Sequence, residues 1–319
     1  MASINEIKNR LPKEFVENLY NLFSPGTVDK ILAGTSEQRA TTLRVNNLKF
    51  NIQDLMKLFK ENNIKFDRIP WYRDGLVIKN AVEKDIKKLE IYENGYIYLQ
   101  STSSMVPPCV LDPKPGEIIL DLTAAPGSKT TQIAAMMNND GYILANELDK
   151  IRCERLKFNV NNQGAKIVEV INGRGEKIGS QYPEKFDKIL LDTPCSGEGR
   201  FLAYNPGTYR DWSVKRVNEL VKIQKKLFTS AFNALKPGGI IVYSTCTINK
   251  EENEYILNWA LQNFKIEILD IPLEIKNSIP GSTEGLDSSI RKSIKILPSK
   301  ETEGFFVAKL RKISSESKI

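Results

Sequence analysis

Residues 186–201 read FDKILLDTPCSGEGRF. Phe186, Ile189, Leu190 and Leu191 form an apolar run of strand length, ended by the acid Asp192 and followed by a Pro-Cys pair and a glycine-rich turn. A carboxylate and a thiol, Asp192 and Cys195, thus leave one strand together. A second apolar run, IIVYST (240–245), ends in the same way, with Cys246 directly after it. If both runs are strands of one sheet, the two thiols face one pocket.

Working outward, strand and helix patterns alternate from Gly116 onward. The strands read EIILDL (117–122), GYILAN (141–146), KIVEVI (166–171) and FDKILLD (186–192), with helices from Ser128 and across Lys150 to Asn162. A long helix is predicted from about Ser213 to Leu235, with Val217, Leu220, Val221, Leu227, Phe228, Ala231 and Leu235 on one stripe. GIIVYST (239–245), a helix over 251–262 and strands around Ile266–Ile268 and Phe305–Leu310 complete the set. This order predicts a doubly wound, Rossmann-like α/β sheet. Ahead of it, residues 12–33 carry apolar positions at helical spacing (Phe15, Leu19, Phe23, then Val28, Ile31 and Leu32 after a Ser-Pro-Gly break) and predict two short helices. A strand at 41–46, a helix over Ile52–Lys60 and strands near Phe66–Trp71 and Gly75–Ile78 then predict a small α+β, RRM-like module. The expected domains are an N-terminal helical plus α+β unit, 1–100, and the α/β unit, 101–319. Arg44, Arg68, Trp71, Tyr72 and Arg73 mix cations with aromatics as nucleic-acid surfaces do, although Trp71 reads equally well as a core residue. The polar run Gln100–Ser104 is expected to wall a cleft.

Composition narrows the function. In 319 residues there is no histidine, which removes Ser-His and Cys-His activation of a nucleophile and makes a zinc site unexpected. The four cysteines (Cys109, Cys153, Cys195, Cys246) are far apart with no CxxC pair, as expected of reduced thiols. Cys109 and Cys153 read as ordinary packing thiols. No signal peptide or membrane-length apolar run is present, so a cytoplasmic location is the default expectation. A net charge of +7 favours a polyanionic partner, weakly. The basic stripe Lys215, Arg216, Lys222, Lys225 and Lys226 reads first as a solvated helix face, and second as a phosphate track.

At the first strand's end, LTAAPGSKTT (122–131) brings small residues and Gly127 to a helix amino end, where backbone can approach a ligand closely. It lacks the earlier glycine of a P-loop, and there is no GxGxxG for a dinucleotide. A nucleoside without phosphates, such as S-adenosylmethionine, needs neither, and Glu147 at the second strand's end suits its ribose hydroxyls.

DLTAAPGSKT (121–130), DTPCSGEGRF (192–201) and YSTCT (243–247) resemble the signature blocks of the RNA (cytosine-5) methyltransferases of the Fmu/Sun/Nop family. The likeness extends through LRVN (43–46), YLQSTSSM (98–105), Gln224, NKEENE (249–254) and EGFFVAKL (303–310), and is closest to the RsmF-like branch acting on 16S rRNA. The resemblance implies S-adenosylmethionine held by Thr123, Ala124, Ala125, Pro126, Gly127, Ser128, Lys129 and Glu147, with Arg152 supporting that acid. It implies Cys246 as nucleophile, Cys195 as the thiol aiding product release, and Asp192 lining the base pocket. Lys129 is the nearest motif cation able to lower the Cys246 pKa. The chain departs from the family where Thr123 replaces Cys or Ala, where Asn172 replaces an Asp that binds cofactor, and where Pro298-Ser299 replaces Pro-His. The implied partner is rRNA or tRNA, with the small ribosomal subunit as a possible assembly and the chain a monomer; no metal is implied. The rivals from other classes are a non-catalytic RNA-binding assembly factor and a dinucleotide-dependent oxidoreductase.

Overall fold

A computed structural model of the chain describes residues 3–317. Among these residues, thirteen strands form two sheets. The small sheet holds β1 (Thr41–Val45), β2 (Phe66–Ile69), β3 (Tyr72–Ile78) and β4 (Ile97–Leu99), antiparallel in the order β2-β3-β1-β4. With the helix Ile52–Glu61 between β1 and β2, this is a split βαβ arrangement. Leu43 and Val45 on β1 and Leu55 and Phe59 on the helix share its core.

The large sheet contains β5 (Ile118–Asp121), β6 (Tyr142–Glu147), β7 (Val168–Asn172), β8 (Phe186–Asp192), β9 (Leu235–Thr245), β10 (Phe264–Leu269), β11 (Ser278–Pro280), β12 (Ile294–Ile296) and β13 (Phe305–Ser317). Its order is β11-β12-β13-β9-β8-β5-β6-β7, with β10 also paired to β13. β5 to β9 are parallel, as strands joined by crossover helices must be, and β13 is antiparallel to β9. The expected doubly wound sheet is therefore present, with its switch point between β5 and β8. β11, β12 and the helices Ile4–Arg10 and Gly175–Gln181 lie outside the elements expected from sequence.

The helix Val214–Ala234 starts where the Ser213 side chain accepts from the Arg216 N–H. Its stripe of Leu227, Phe228 and Ala231 is buried against β8 and β9 residues such as Ile189, Leu191 and Tyr243. At ~1.5–3 kcal/mol for each large apolar side chain, such burial fixes the helix on the sheet.

One expectation is corrected. Arg44 and Tyr72 do not belong to an exposed RNA surface: Arg44 is 0% exposed and Tyr72 is buried. Both faces of β1 are covered, and Arg44 donates to Gln100 Oε1 (2.8 Å), Thr131 Oγ1 (2.8 Å) and the Ser128 carbonyl (3.1 Å), pinning the small sheet to the catalytic one. Trp71 is half-buried and stacks on Tyr72, whereas Arg68 and Arg73 are exposed. The helices of residues 4–36 pack on residues from later in the chain: Phe15 and Leu19 share a core with Phe201, Ile248 and Leu297.

Candidate active site

The carboxyl ends of β5, β6, β8 and β9 and the approach to β13 enclose a cavity of about 950 Å³. Parallel pairing of β8 with β9 sets Asp192 opposite Ser244, so the loops leaving the two strands carry Cys195 and Cys246 to the same place. Their sulfurs are 3.2 Å apart, and both line the cavity. Cys246 is held below the usual thiol range by the hydrogen bond from Cys195, with Arg200 adding to this against the opposing effect of burial. Cys195 is pushed up by that same bond, by burial and by the field of Glu252. The arrangement favours ionisation of Cys246 over Cys195, whose S–H is left as a donor to it.

Arg200 is the cation that lowers the Cys246 pKa, while Lys129, which also feels the charge of Cys246, is committed first to Asp192. Lys129 Nζ lies 2.6 Å from Asp192 Oδ2 and donates to Ser104 Oγ at 2.8 Å, while Ser244 Oγ donates to Asp192 Oδ1 at 2.7 Å. Both carboxylate oxygens are therefore engaged. Because the thiolate is the reactive form, loss of Arg200 raises the pKa at which reactivity appears. In R200M the ascending limb of the kcat/KM–pH profile should move to higher pH; an unmoved limb would remove Arg200 from this role.

The other end of the cavity is built on the β5 turn. Thr123 Oγ1 donates to the Asp192 carbonyl (2.8 Å), and the Ala124 N–H to the Asn146 carbonyl (2.8 Å). Gly127 has φ +104°, and a Cβ there would lie 2.9 Å from Leu156, so the turn needs glycine. Thr123, Ala124, Ala125, Pro126, Ser128 and Lys129 line the cavity, with Gly127 behind them. Glu147 also lines it, buried at the end of β6 and accepting from the Asp149 N–H (2.9 Å); Arg152 stands 3.7 Å from it and donates to the Ala125 carbonyl. Asn172 lies outside the lining; its amide donates to the Glu147 and Leu148 carbonyls and so holds the turn that carries Glu147. Asp121 contributes a buried carboxyl pushed up to about 7 by burial; Thr130 Oγ1 donates to its Oδ2 (2.7 Å), and its Oδ1 has no hydrogen-bond partner among the described residues.

Residues 108–311 match the family model described as 16S rRNA methyltransferase RsmB/F, and residues 11–102 match that of the N-terminal domain of 16S rRNA methyltransferase RsmF. The chain belongs to the RsmB/F methyltransferase family. It is 40% identical over 276 residues to the tRNA (cytosine(49)-C(5))-methyltransferase of Pyrococcus abyssi, covering 85% of this chain and 88% of that one. It is 36% identical over 312 residues to the ribosomal RNA small subunit methyltransferase F of Pectobacterium carotovorum, covering 96% of this chain but 63% of that relative's length. The crystal structure of NSun6 from Pyrococcus horikoshii with SFG superposes with a TM-score of 0.83 at 25% identity, covering 96% of this chain and all of that one.

Within this family fold, several site groups escape sequence reasoning although their blocks are visible in it. Glu252 of NKEENE is fully buried and accepts from the Ser196 N–H (2.9 Å), the Ser196 hydroxyl and Gln224 (3.0 Å), fixing the loop that carries Cys195. Glu198, pushed up to about 7 by burial, accepts from Trp212 (3.0 Å) and Asn249 (2.8 Å). Of the basic stripe, Arg216 lines the cavity and Lys225 lies over Trp259; Lys215, Lys222 and Lys226 are exposed. No helix among the described residues is long and apolar enough to cross a membrane.

Proposed function

We propose that this chain transfers a methyl group from S-adenosylmethionine to carbon 5 of a cytosine in RNA, by way of a covalent bond between Cys246 and carbon 6. The observation that carries this reading is the thiol pair, 3.2 Å apart, with Cys246 the more readily ionised of the two and a carboxylate–lysine pair on the same cavity wall. Carbon 5 of cytosine is too weak a nucleophile to attack a methyl sulfonium. Addition of a thiolate at carbon 6 breaks the ring's conjugation and makes carbon 5 enamine-like. Asp192, oriented by Lys129 and Ser244, would accept from the cytosine 4-amino group and hold the ring over Cys246, and the Lys129 ammonium beside it would offset the negative charge that develops on the ring. A base paired in a duplex cannot reach these groups, so the target is flipped out or unpaired.

The residues present fit S-adenosylmethionine. The unpartnered Asp121 Oδ1, the Glu147 carboxylate and a turn shaped by Gly127 offer acceptors and a close backbone wall without a phosphate cradle. Thr123–Lys129, Glu147 and Arg152 would hold it, with Asn172 supporting from behind. When bound, it supplies the electrophilic methyl group. The relative solved with SFG, an S-adenosylmethionine analogue, supports this assignment.

Both family matches favour 16S rRNA, free or in the small ribosomal subunit, as substrate. The 40% identity to a tRNA methyltransferase favours tRNA as the second reading. The test is transfer of labelled methyl to unmodified 16S rRNA, small subunits and tRNA in parallel. Label in rRNA or subunits supports the first reading, label in tRNA alone replaces it with the second, and label in none with cofactor bound removes both. In C195A the departing Cys246 sulfur loses its hydrogen-bond donor. Product release should slow by about 10²-fold, with a protein–RNA adduct persisting on a denaturing gel; free turnover without adduct would exclude a release role for Cys195.

A further inference from the structure

After methyl transfer, the proton at carbon 5 must leave before Cys246 can be expelled, and without histidine a different base must take it. Cys195 is poorly suited: its thiol is held protonated, and its proton points at the Cys246 sulfur. Two carboxylates act electrostatically on Cys246, Asp192 and Glu303. Asp192 has both oxygens occupied, by Lys129 and Ser244. Glu303 does not. Its Oε2 accepts from Ser101 Oγ at 3.1 Å, whereas Oε1 accepts no hydrogen bond among the described residues, and the half-buried side chain lines the same cavity as the thiols.

Backbone geometry fixes Glu303 there. In the β9–β13 ladder Phe306 pairs with Thr245, so the residues before Phe306 run alongside Cys246. The Gly304 N–H donates to the Gly199 carbonyl (2.8 Å), and the Gly199 N–H to the Cys246 carbonyl (3.1 Å). A Cβ on Gly199 would sit 1.8 Å from the Gly304 carbonyl oxygen, so both glycines are needed for this approach. Ser103 Oγ donates to the Glu303 carbonyl at 2.8 Å, and Thr102 Oγ1 to that of Glu301, clamping the segment from the other side.

We infer that Glu303 is the base that accepts the carbon-5 proton, an assignment that rests on the RNA methyltransferase reading above. In this step the C5–H bond breaks and its proton passes to the Glu303 carboxylate. The electron pair of that bond forms the C5=C6 double bond, and the C6–S bond breaks with its pair returning to Cys246 as thiolate. Cys195 S–H hydrogen-bonds the departing sulfur, and Glu303 returns its proton to water. The two groups thus divide the elimination, one taking the proton and the other stabilising the leaving group.

The experiment follows E303Q and E303A with S-adenosylmethionine labelled in the methyl group and RNA carrying either hydrogen or deuterium at carbon 5 of cytosine. E303Q should form a gel-stable adduct that contains the labelled methyl at near the wild-type rate, then release product on the order of 10²-fold more slowly. Deuterium should slow that release further in E303Q than in wild type, and added formate should restore part of it in E303A. A merely structural glutamate would produce neither the isotope effect nor the rescue. Release at the wild-type rate, or loss of methyl transfer with no adduct, would overturn the assignment. A wild-type protein that methylates no RNA would instead overturn the reading beneath it.

Discussion

C246A should abolish methyl transfer, by on the order of 10⁶-fold, the scale on which removal of a covalent nucleophile is felt elsewhere. The loss is expected to be this large because the rest of the site cannot compensate. Asp192 and Lys129 stabilise charge that exists only once the ring has been attacked, and the neighbouring thiol, Cys195, is held protonated beside Glu252. Cofactor affinity should be unchanged, since the groups proposed to hold it stand on β5 and β6 while Cys246 follows β9. The fold should tolerate the change as well: Cys246 is only half-buried, and alanine removes one sulfur from its cavity wall. The measurement is labelled methyl transfer alongside calorimetric S-adenosylmethionine binding. Retained transfer in C246A, with loss in C195A, would move the nucleophile to the other strand end.

What could be read from sequence, and what could not, follows from how far each feature depends on tertiary contacts. β5 to β9 were legible because buried parallel strands are continuous apolar runs separated by helical patterns. The thiols were legible as a pair because two such runs each ended in cysteine, and parallel pairing of adjacent strands brings equivalent ends together. Arg44 was misplaced because an arginine in TTLRV reads as a solvent-facing residue, and only Gln100, Ser128 and Thr131, distant in sequence, explain its complete burial. The amphipathic stripe of residues 12–33 predicted helices correctly but could not name the surface that covers it; Phe201 and Ile248, far along the chain, do so. β11 and β12 are too short, at three residues each, to show any periodicity. Glu198 and Glu252 sit in visible blocks, yet a charged residue in a loop reads as solvated until its buried partners are seen.

Lys129 separates two accounts of the site most sharply. Sequence places it in the turn nearest the thiols and suggests that it supports the Cys246 thiolate. The structure gives its ammonium to Asp192 at 2.6 Å, with Ser104 at 2.8 Å and the Phe305 ring beneath. Burial opposes its charge, but the field of Asp192 and the hydrogen bond to it prevail and hold its pKa above the usual lysine value. In K129M, Asp192 keeps only Ser244, and the carboxylate loses both its counter-charge and its aim at the base. Turnover should fall by on the order of 10³-fold, the cost of losing a preorganised polar group in a shielded site. Stability should fall by about 2–3 kcal/mol, less than for a fully buried pair because the Asp192 side chain is 25% exposed. For a chain of this length that is a Tm decrease of roughly 3–5 °C. The decisive readout is the pH profile. If Lys129 serves Asp192 first, the ascending limb set by Cys246 moves less in K129M than in R200M. If it moves further in K129M, the lysine belongs to the thiolate, and the division of labour between Lys129 and Arg200 is reversed.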